Sequence, residues 1–180
     1  MIMSELRTNR IVPRDGLPSG SSGGIIQVRS TTFTDNASYA ISGMTWTEVV
    51  GLRTTITPTR SDSKILLMLT IGAISSNGHN QRFGMALRRG STNLGVNDAS
   101  GGGHTRANWA SCGRNTGNIV SNWACFNHLD SPGSTSQQHY RIMITTEGSY
   151  TLYINRSESD ADSSSVFRTA SSLTLMEICG

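Results

Sequence analysis

The sequence predicts an all-β fold, an antiparallel β-sandwich or jelly roll that carries an extended N-terminal arm. Short segments in which apolar and polar residues alternate recur along the chain, and no segment shows convincing helical periodicity. The composition agrees, because 26 Ser, 20 Thr and 19 Gly accompany only 15% charged and 36% hydrophobic residues. Hydroxyl-rich segments separated by many turns are typical of strands and their connections.

Residues 1–23 are predicted to form an arm, and residues 24–180 a single β-sandwich head. The arm contains isolated apolar residues among arginines and ends in the linker-like sequence LPSGSSGG. Because such a segment cannot bury its apolar residues alone, it is either disordered or ordered by docking on a partner, and we favour docking. Its candidate anchoring residues are Leu6, Arg7, Arg10, Ile11, Val12 and Arg14.

The head begins with several short strands. GIIQVRSTTF predicts the first, with Ile26 and Val28 on one side, and SYAI and WTEVV predict two more. Gly51 and Leu52 then introduce RTTITP, a separate strand that Pro58 ends.

The most apolar run, KILLMLTIGAI at residues 64–74, is predicted to be the central strand. Apolar residues occupy both of its faces, so we expect burial on both sides. A helix is the alternative, but Thr70, Gly72 and the flanking Ser-rich turns disfavour it. The run is shorter than the ~20 apolar residues that a transmembrane helix needs, so no membrane insertion is expected.

Five further segments complete a prediction of about nine strands. QRFGMALRR places Phe83, Met85 and Leu87 on one face, and NIVSNWACF, with Trp123 predicted in the core, follows a long irregular region. After NHLDSPGSTSQQ, interpreted as a turn-rich connection, HYRIMITTE and YTLYINRS are predicted to pair as a hairpin around residues 147–149. SSLTLMEIC forms the last strand.

The irregular region at residues 97–118 is the first candidate contact surface. It brings together His104, Arg106, Trp109 and Arg114, and the loop at His79 is the second candidate. A tryptophan beside arginines can anchor a sugar ring or a protein partner, by stacking and by guanidinium hydrogen bonds. The alternative, which the sequence leaves equally open, is that Trp109 folds back to plug the end of the sandwich.

No catalytic or metal-binding motif is recognisable, so neither an enzyme nor a cofactor is expected. The four histidines lack zinc spacing, and Asp160 and Asp162 favour a solvated loop over a calcium site. The net charge of +3 comes from scattered arginines rather than a dense basic patch, which disfavours nucleic-acid binding. Three cysteines without CxxC spacing predict free thiols, and no signal peptide is recognisable, so folding in a reducing cytoplasm is expected.

The chain resembles short virion fibre and tail-fibre proteins of tailed bacteriophages, cyanophages among them. The resemblance rests on SELRTNRIVPRDG with its Ser/Gly linker and GGIIQV, and on KILLML, ALRRGSTNLG, LDSPGSTSQQHYRI, YTLYINRS and SSLTLMEI. It implies a homotrimer assembled in the host cytoplasm, whose arm attaches to other virion proteins or intertwines with its sister arms, and whose β-domain is an outward knob. Shaft repeats are absent from the sequence, which leaves tail and head locations open.

The leading hypothesis is therefore a non-enzymatic, homotrimeric short fibre that contacts a host surface glycan or protein, or a neighbouring virion protein. The alternative is a capsid decoration or cement protein that braces shell subunits. A carbohydrate-binding module is the third possibility.

Overall fold

The computed structural model describes residues 24–78, 81–96, 103–111 and 122–180. The six anchoring residues predicted in the arm, together with His79 and Arg114, lie outside the described residues. The described residues contain strands and no helix, and so no helix there is long and apolar enough to cross a membrane.

Eleven strands are found in the described residues, rather than about nine. They are β1 (Ile25–Phe33), β2 (Ala37–Ile41), β3 (Thr47–Ile56), β4 (Lys64–Ser76), β5 (Phe83–Arg89), β6 (Thr92–Leu94), β7 (Trp109–Ser111), β8 (Asn122–Asp130), β9 (Gln138–Thr146), β10 (Tyr150–Ile154) and β11 (Ser171–Ile178). The two unexpected additions, β6 and β7, have only three residues each and are too short to show alternation.

The strands form two antiparallel sheets. Sheet I has the order β1-β11-β4-β10-β2, and β8 pairs with β4. Sheet II has the order β3-β9-β5-β6, and β7 pairs with β5. The buried core draws on both sheets, with members such as Leu67 and Leu173 from sheet I and Leu52, Leu87 and Ile142 from sheet II. The predicted antiparallel β-sandwich is thus confirmed.

Strand β4 is central, as predicted, but only one face of its first half is buried. Ile65, Leu67 and Ile71 are at most 1% exposed and face the core. Met68, which points the other way, is 41% exposed. The expectation of burial on both faces is wrong here, because no second layer of the described residues covers this part of sheet I.

Strand β3 joins two segments that were expected to be separate strands. Its pairing with β9 shifts register between Glu48 and Arg53, so a bulge takes the place of the expected break. Gly51 lies within this bulge, where an added Cβ would fall on the ring of Phe33. The close approach of the Phe33 ring to the backbone, rather than a turn, therefore explains the glycine at this position.

The prediction that the two segments around residues 147–149 pair as a hairpin is wrong. Strand β9 pairs with β3 and β5 in sheet II, whereas β10 pairs with β2 and β4 in sheet I. Both hydrogen-bonding edges of each strand are thus occupied by other partners, and the short connection crosses from one sheet to the other.

Strand β8 also differs from its prediction. It continues to Asp130, which pairs with Ile65, through residues that had been interpreted as a connection. Trp123 is 71% exposed rather than buried, while its neighbour Ala124 is 1% exposed. Only one face of β8 packs on the core, and the alternation of the strand places Trp123 on the other face.

Candidate functional site

A cavity of about 440 Å³ opens on the outer face of sheet II, where β5 begins and β9 ends. Residues 103–107 form one wall, and Met44, from the turn before β3, lies in the wall as well. The volume is within the range of ~300–1,000 Å³ that small-molecule sites occupy.

Small side chains create this cavity. Gly84 in β5 pairs with Ala110 in β7, and both residues line it together with Ala107. A Cβ added at Gly84 would lie 3.3 Å from the Cβ of Ala107 and 3.7 Å from Cγ2 of Thr145. The floor is therefore apolar, and the glycine allows Ala107 to pack closely on β5.

Asn108 fixes the wall formed by residues 103–107. Its backbone N–H donates to Met85 O at 2.8 Å, its Oδ1 accepts from Leu87 N at 2.6 Å, and its Nδ2 donates to Leu94 O at 2.6 Å. One side chain thus occupies the edge of β5 between the short strands β6 and β7. Sequence reasoning missed this residue, although an asparagine just before a strand often bonds backbone groups in this way.

An ion pair between Arg82 and Glu147 lines the rim. The backbone N–H of Arg82 donates to Glu147 Oε1 at 3.1 Å, and the backbone N–H of Glu147 donates to Arg82 O at 3.0 Å. The guanidinium Nη1 lies 3.5 Å from Glu147 Oε2. Both charged groups are accessible, yet the bond from the Arg82 backbone N–H holds the carboxylate in place.

The cavity wall also contains a hydroxyl group that has no partner. Thr145 is 3% exposed, and its Oγ1 makes no hydrogen bond within the described part of the chain. A buried hydroxyl in this state costs free energy relative to one that is hydrogen-bonded.

The predicted contact residues are only partly brought together. His104 lines the cavity, and Arg106 is exposed on the same segment. Trp109 is half-buried, and its ring lies 5.6 Å from that of Phe83 at the edge of the core. This position matches the alternative in which Trp109 plugs the sandwich, and a contact role for the cluster stays a prediction.

The loop with Asp160 and Asp162 is closed by arginines. Asp160 accepts hydrogen bonds from Arg168 Nε at 2.9 Å and from Arg156 Nη1 at 3.1 Å. The bond from Arg168, more than any other contact, lowers the pKa of Asp160 below its usual value. Across the described ranges, no group of three or more His, Cys, Asp or Glu side chains is placed to hold a metal ion.

A second surface of interest is the outer face of sheet I. Its residues form rows that are in register across β1, β11, β4 and β8. The first row is Val28, Met176, Leu66 and Leu129; the second is Ser30, Thr174, Met68 and Asn127; the third is Thr32, Ser172, Thr70 and Cys125. None of these side chains is charged, and Val28 and Leu129 are 50% and 48% exposed.

No protein-family model matches the chain, and a search of curated proteins finds no similar sequence.

Proposed function

We propose that the chain is a non-enzymatic, homotrimeric fibre protein of a tailed-bacteriophage virion, in which residues 24–180 form the head and residues 1–23 the attachment arm. The virion assignment is supported by the resemblance described above. Association of the heads is supported by one structural observation, the three uncharged rows on the outer face of sheet I, beside which Lys64 is the charged member of the next row.

The first row of that face is apolar on all four strands, and Ile25 beside it is 60% exposed. With strands ~4.8 Å apart and a rise of ~3.4 Å per residue, the three rows cover about 400 Å². Within this area the first row and Met68 are apolar, and the other members are mainly Ser, Thr and Asn. An exposed apolar row across four strands is a candidate contact surface. Sheets normally bury an apolar face under another layer.

A second copy of the chain is a suitable layer. A standard interface buries ~800 Å² on each partner, so the three rows can form its centre and their surroundings its rim. Because the three rows have no charge, and exposed Lys64 lies in the next row at their margin, contact through the rows buries no unpaired ion.

The position of the arm fits this assembly. The backbone N–H of Cys179 donates to Gly24 O at 2.9 Å, so residue 24 is fixed at the corner of sheet I next to Ile25. In a trimer built on these faces, all three arms would leave the head near the shared interface. Three weak contact sites held together can exceed the affinity of a single site by ~10²–10⁴-fold.

Light scattering on the full chain tests the proposal. We expect a mass near three times 19.3 kDa for the natural protein. Leu66→Glu should give a folded monomer, because it places a charge at the centre of the interface. Val50→Glu is the matched control, since Val50 is an exposed apolar residue of sheet II and its substitution should leave the trimer intact. A monomeric natural protein, or a Leu66→Glu variant that stays trimeric, would contradict the proposed assembly.

A further inference from the structure

The cavity on the outer face of sheet II has the chemistry of a site for a neutral ring that carries hydroxyl groups. Its lining around Gly84, Ala107 and Ala110 is apolar, which suits the C–H face of a pyranose ring.

Polar groups are confined to the rim, where ring hydroxyls would lie. The Glu147 carboxylate accepts hydrogen bonds, the Arg82 guanidinium donates them, and the His104 imidazole lies on the wall formed by residues 103–107. A hydroxyl group both donates and accepts, so neighbouring hydroxyls of a sugar can use a carboxylate and a guanidinium together.

The charges of the rim favour a neutral ligand. Arg82 Nη1 is 3.5 Å from Glu147 Oε2, and the carboxylate is also held by the backbone N–H of Arg82. An anion would have to displace or face this fixed carboxylate, and a cation would face the guanidinium.

We propose that this cavity binds a neutral hexose unit of a surface glycan. The inference deepens the proposed function and rests on it for its biological role, because it names the ligand class of the host contact. The cavity lies on sheet II, whereas the proposed trimer interface lies on sheet I, so three cavities would stay open on the outside of one head.

The test is a calorimetric and NMR titration of the full chain with D-galactose, D-glucose and N-acetyl-D-glucosamine. We expect at least one of them to bind with a dissociation constant of ~1 mM, as is usual for a few hydrogen bonds and one stacked face. Glu147→Gln should weaken binding by about tenfold or more, because it removes a charged acceptor. Ala110→Phe should abolish binding, because its ring would occupy the floor beside Gly84.

Asp62→Asn is the matched control. It also removes the carboxylate of an exposed arginine ion pair, that of Arg60 and Asp62, but at a site away from the cavity. Its binding should equal that of the natural protein. Loss of binding in Glu147→Gln with retention in Asp62→Asn would support the site.

Three results would overturn the inference. They are the absence of binding for all three sugars, binding that Ala110→Phe leaves unchanged, and binding of N-acetylneuraminic acid or inorganic phosphate in place of the neutral sugars. The mass of the protein is measured independently, so a trimer that binds no sugar rejects only this inference. A monomer that binds sugar rejects only the trimeric fibre.

Discussion

At the scale of single residues, Glu177 shows how this head stabilises a buried charge. Its side chain is fully buried at the end of β11. Oε2 accepts from Gln27 Nε2 at 2.6 Å, and Oε1 accepts from the backbone N–H and the hydroxyl of Thr59 at 2.7 and 2.8 Å. These bonds connect the last strand to β1 and to the connection after β3. A carboxylate is tolerated in a protein interior only with such compensation.

The pKa of Glu177 gives a prediction for acid stability. Burial alone would raise this pKa, but the hydrogen bonds from Gln27 and Thr59 outweigh burial and hold it below its ordinary value of 4.5. A carboxyl group whose pKa is lower in the folded state stabilises the protein at neutral pH. That contribution is lost as the pH falls below about 4.5, towards the folded-state pKa.

Glu177→Gln should therefore destabilise the head by about 1–3 kcal/mol at pH 7 and by much less near pH 3. Urea denaturation between pH 3 and pH 7 measures both values. Asp35→Asn, which removes an exposed carboxylate, is the control and should show no comparable pH dependence. A difference between Glu177→Gln and the natural protein that stays constant over this pH range would contradict the assigned role of the charge.

At the scale of elements, the loop between β10 and β11 is fixed by Asn155. This residue is fully buried and has a φ of +66°, in the left-handed region. Its Nδ2 donates to Phe33 O at 2.8 Å and to Asp35 O at 3.0 Å, and its Oδ1 accepts from the Ser171 hydroxyl. The side chain thus joins the end of β1 to the start of β11 across the loop.

Two substitutions of Asn155 should separate the contribution of its backbone conformation to the unfolding free energy from that of its hydrogen bonds. Asn155→Ala loses the three side-chain bonds and also places an alanine at positive φ, so we expect a loss of roughly 2–4 kcal/mol in unfolding free energy. Asn155→Gly loses the same bonds but tolerates the φ, and it should be destabilised less. Urea denaturation of both variants measures the difference. Equal losses would show that the backbone conformation contributes nothing.

Local sequence patterns predicted where the strands lie better than they predicted which strands pair with each other. Alternation along β5 correctly placed Phe83, Met85 and Leu87 inward, because the faces of a strand follow from neighbouring residues alone. The pairing of β9 and β10 was mispredicted, because competing strands far away in sequence decide which edge a strand joins. The orientation of Trp123 was missed for a related reason, since alternation shows two faces but does not say which one meets the core.

The candidate cavity shows the same limit. His104 was singled out because it lies in a glycine-rich loop, and it does line the cavity. Arg82 and Glu147 lie 65 positions apart, and only the pairing of β5 with β9 brings them together. In the sequence, Gly84 is recognisable only as a glycine that interrupts a strand pattern. Its role depends on the close approach of Ala107 and Thr145, which are distant in sequence.

At the scale of the whole molecule, the two outer faces are chemically different. Sheet II carries a charged network, in which Glu48 accepts from Arg53 Nη2 at 2.7 Å and from Arg141 Nη1 at 3.2 Å. Arg88 in the same sheet lies 5.6 Å from the centre of the Trp46 ring. The three rows on sheet I have no charge at all. This difference favours a head that assembles through sheet I and leaves sheet II facing solvent.

Removal of the arm tests where assembly resides. If the outer face of sheet I is the interface, a version that lacks residues 1–23 should remain folded and trimeric by light scattering, because every residue of the three rows is retained. Its association should depend little on salt between ~0.05 and ~0.5 M, since no ion pair lies at the centre of the face. The truncated head should still bind cells but should no longer attach to virus particles. A truncated protein that is monomeric would instead place assembly in the arm, and shells that lose stability without the chain would favour a decoration protein.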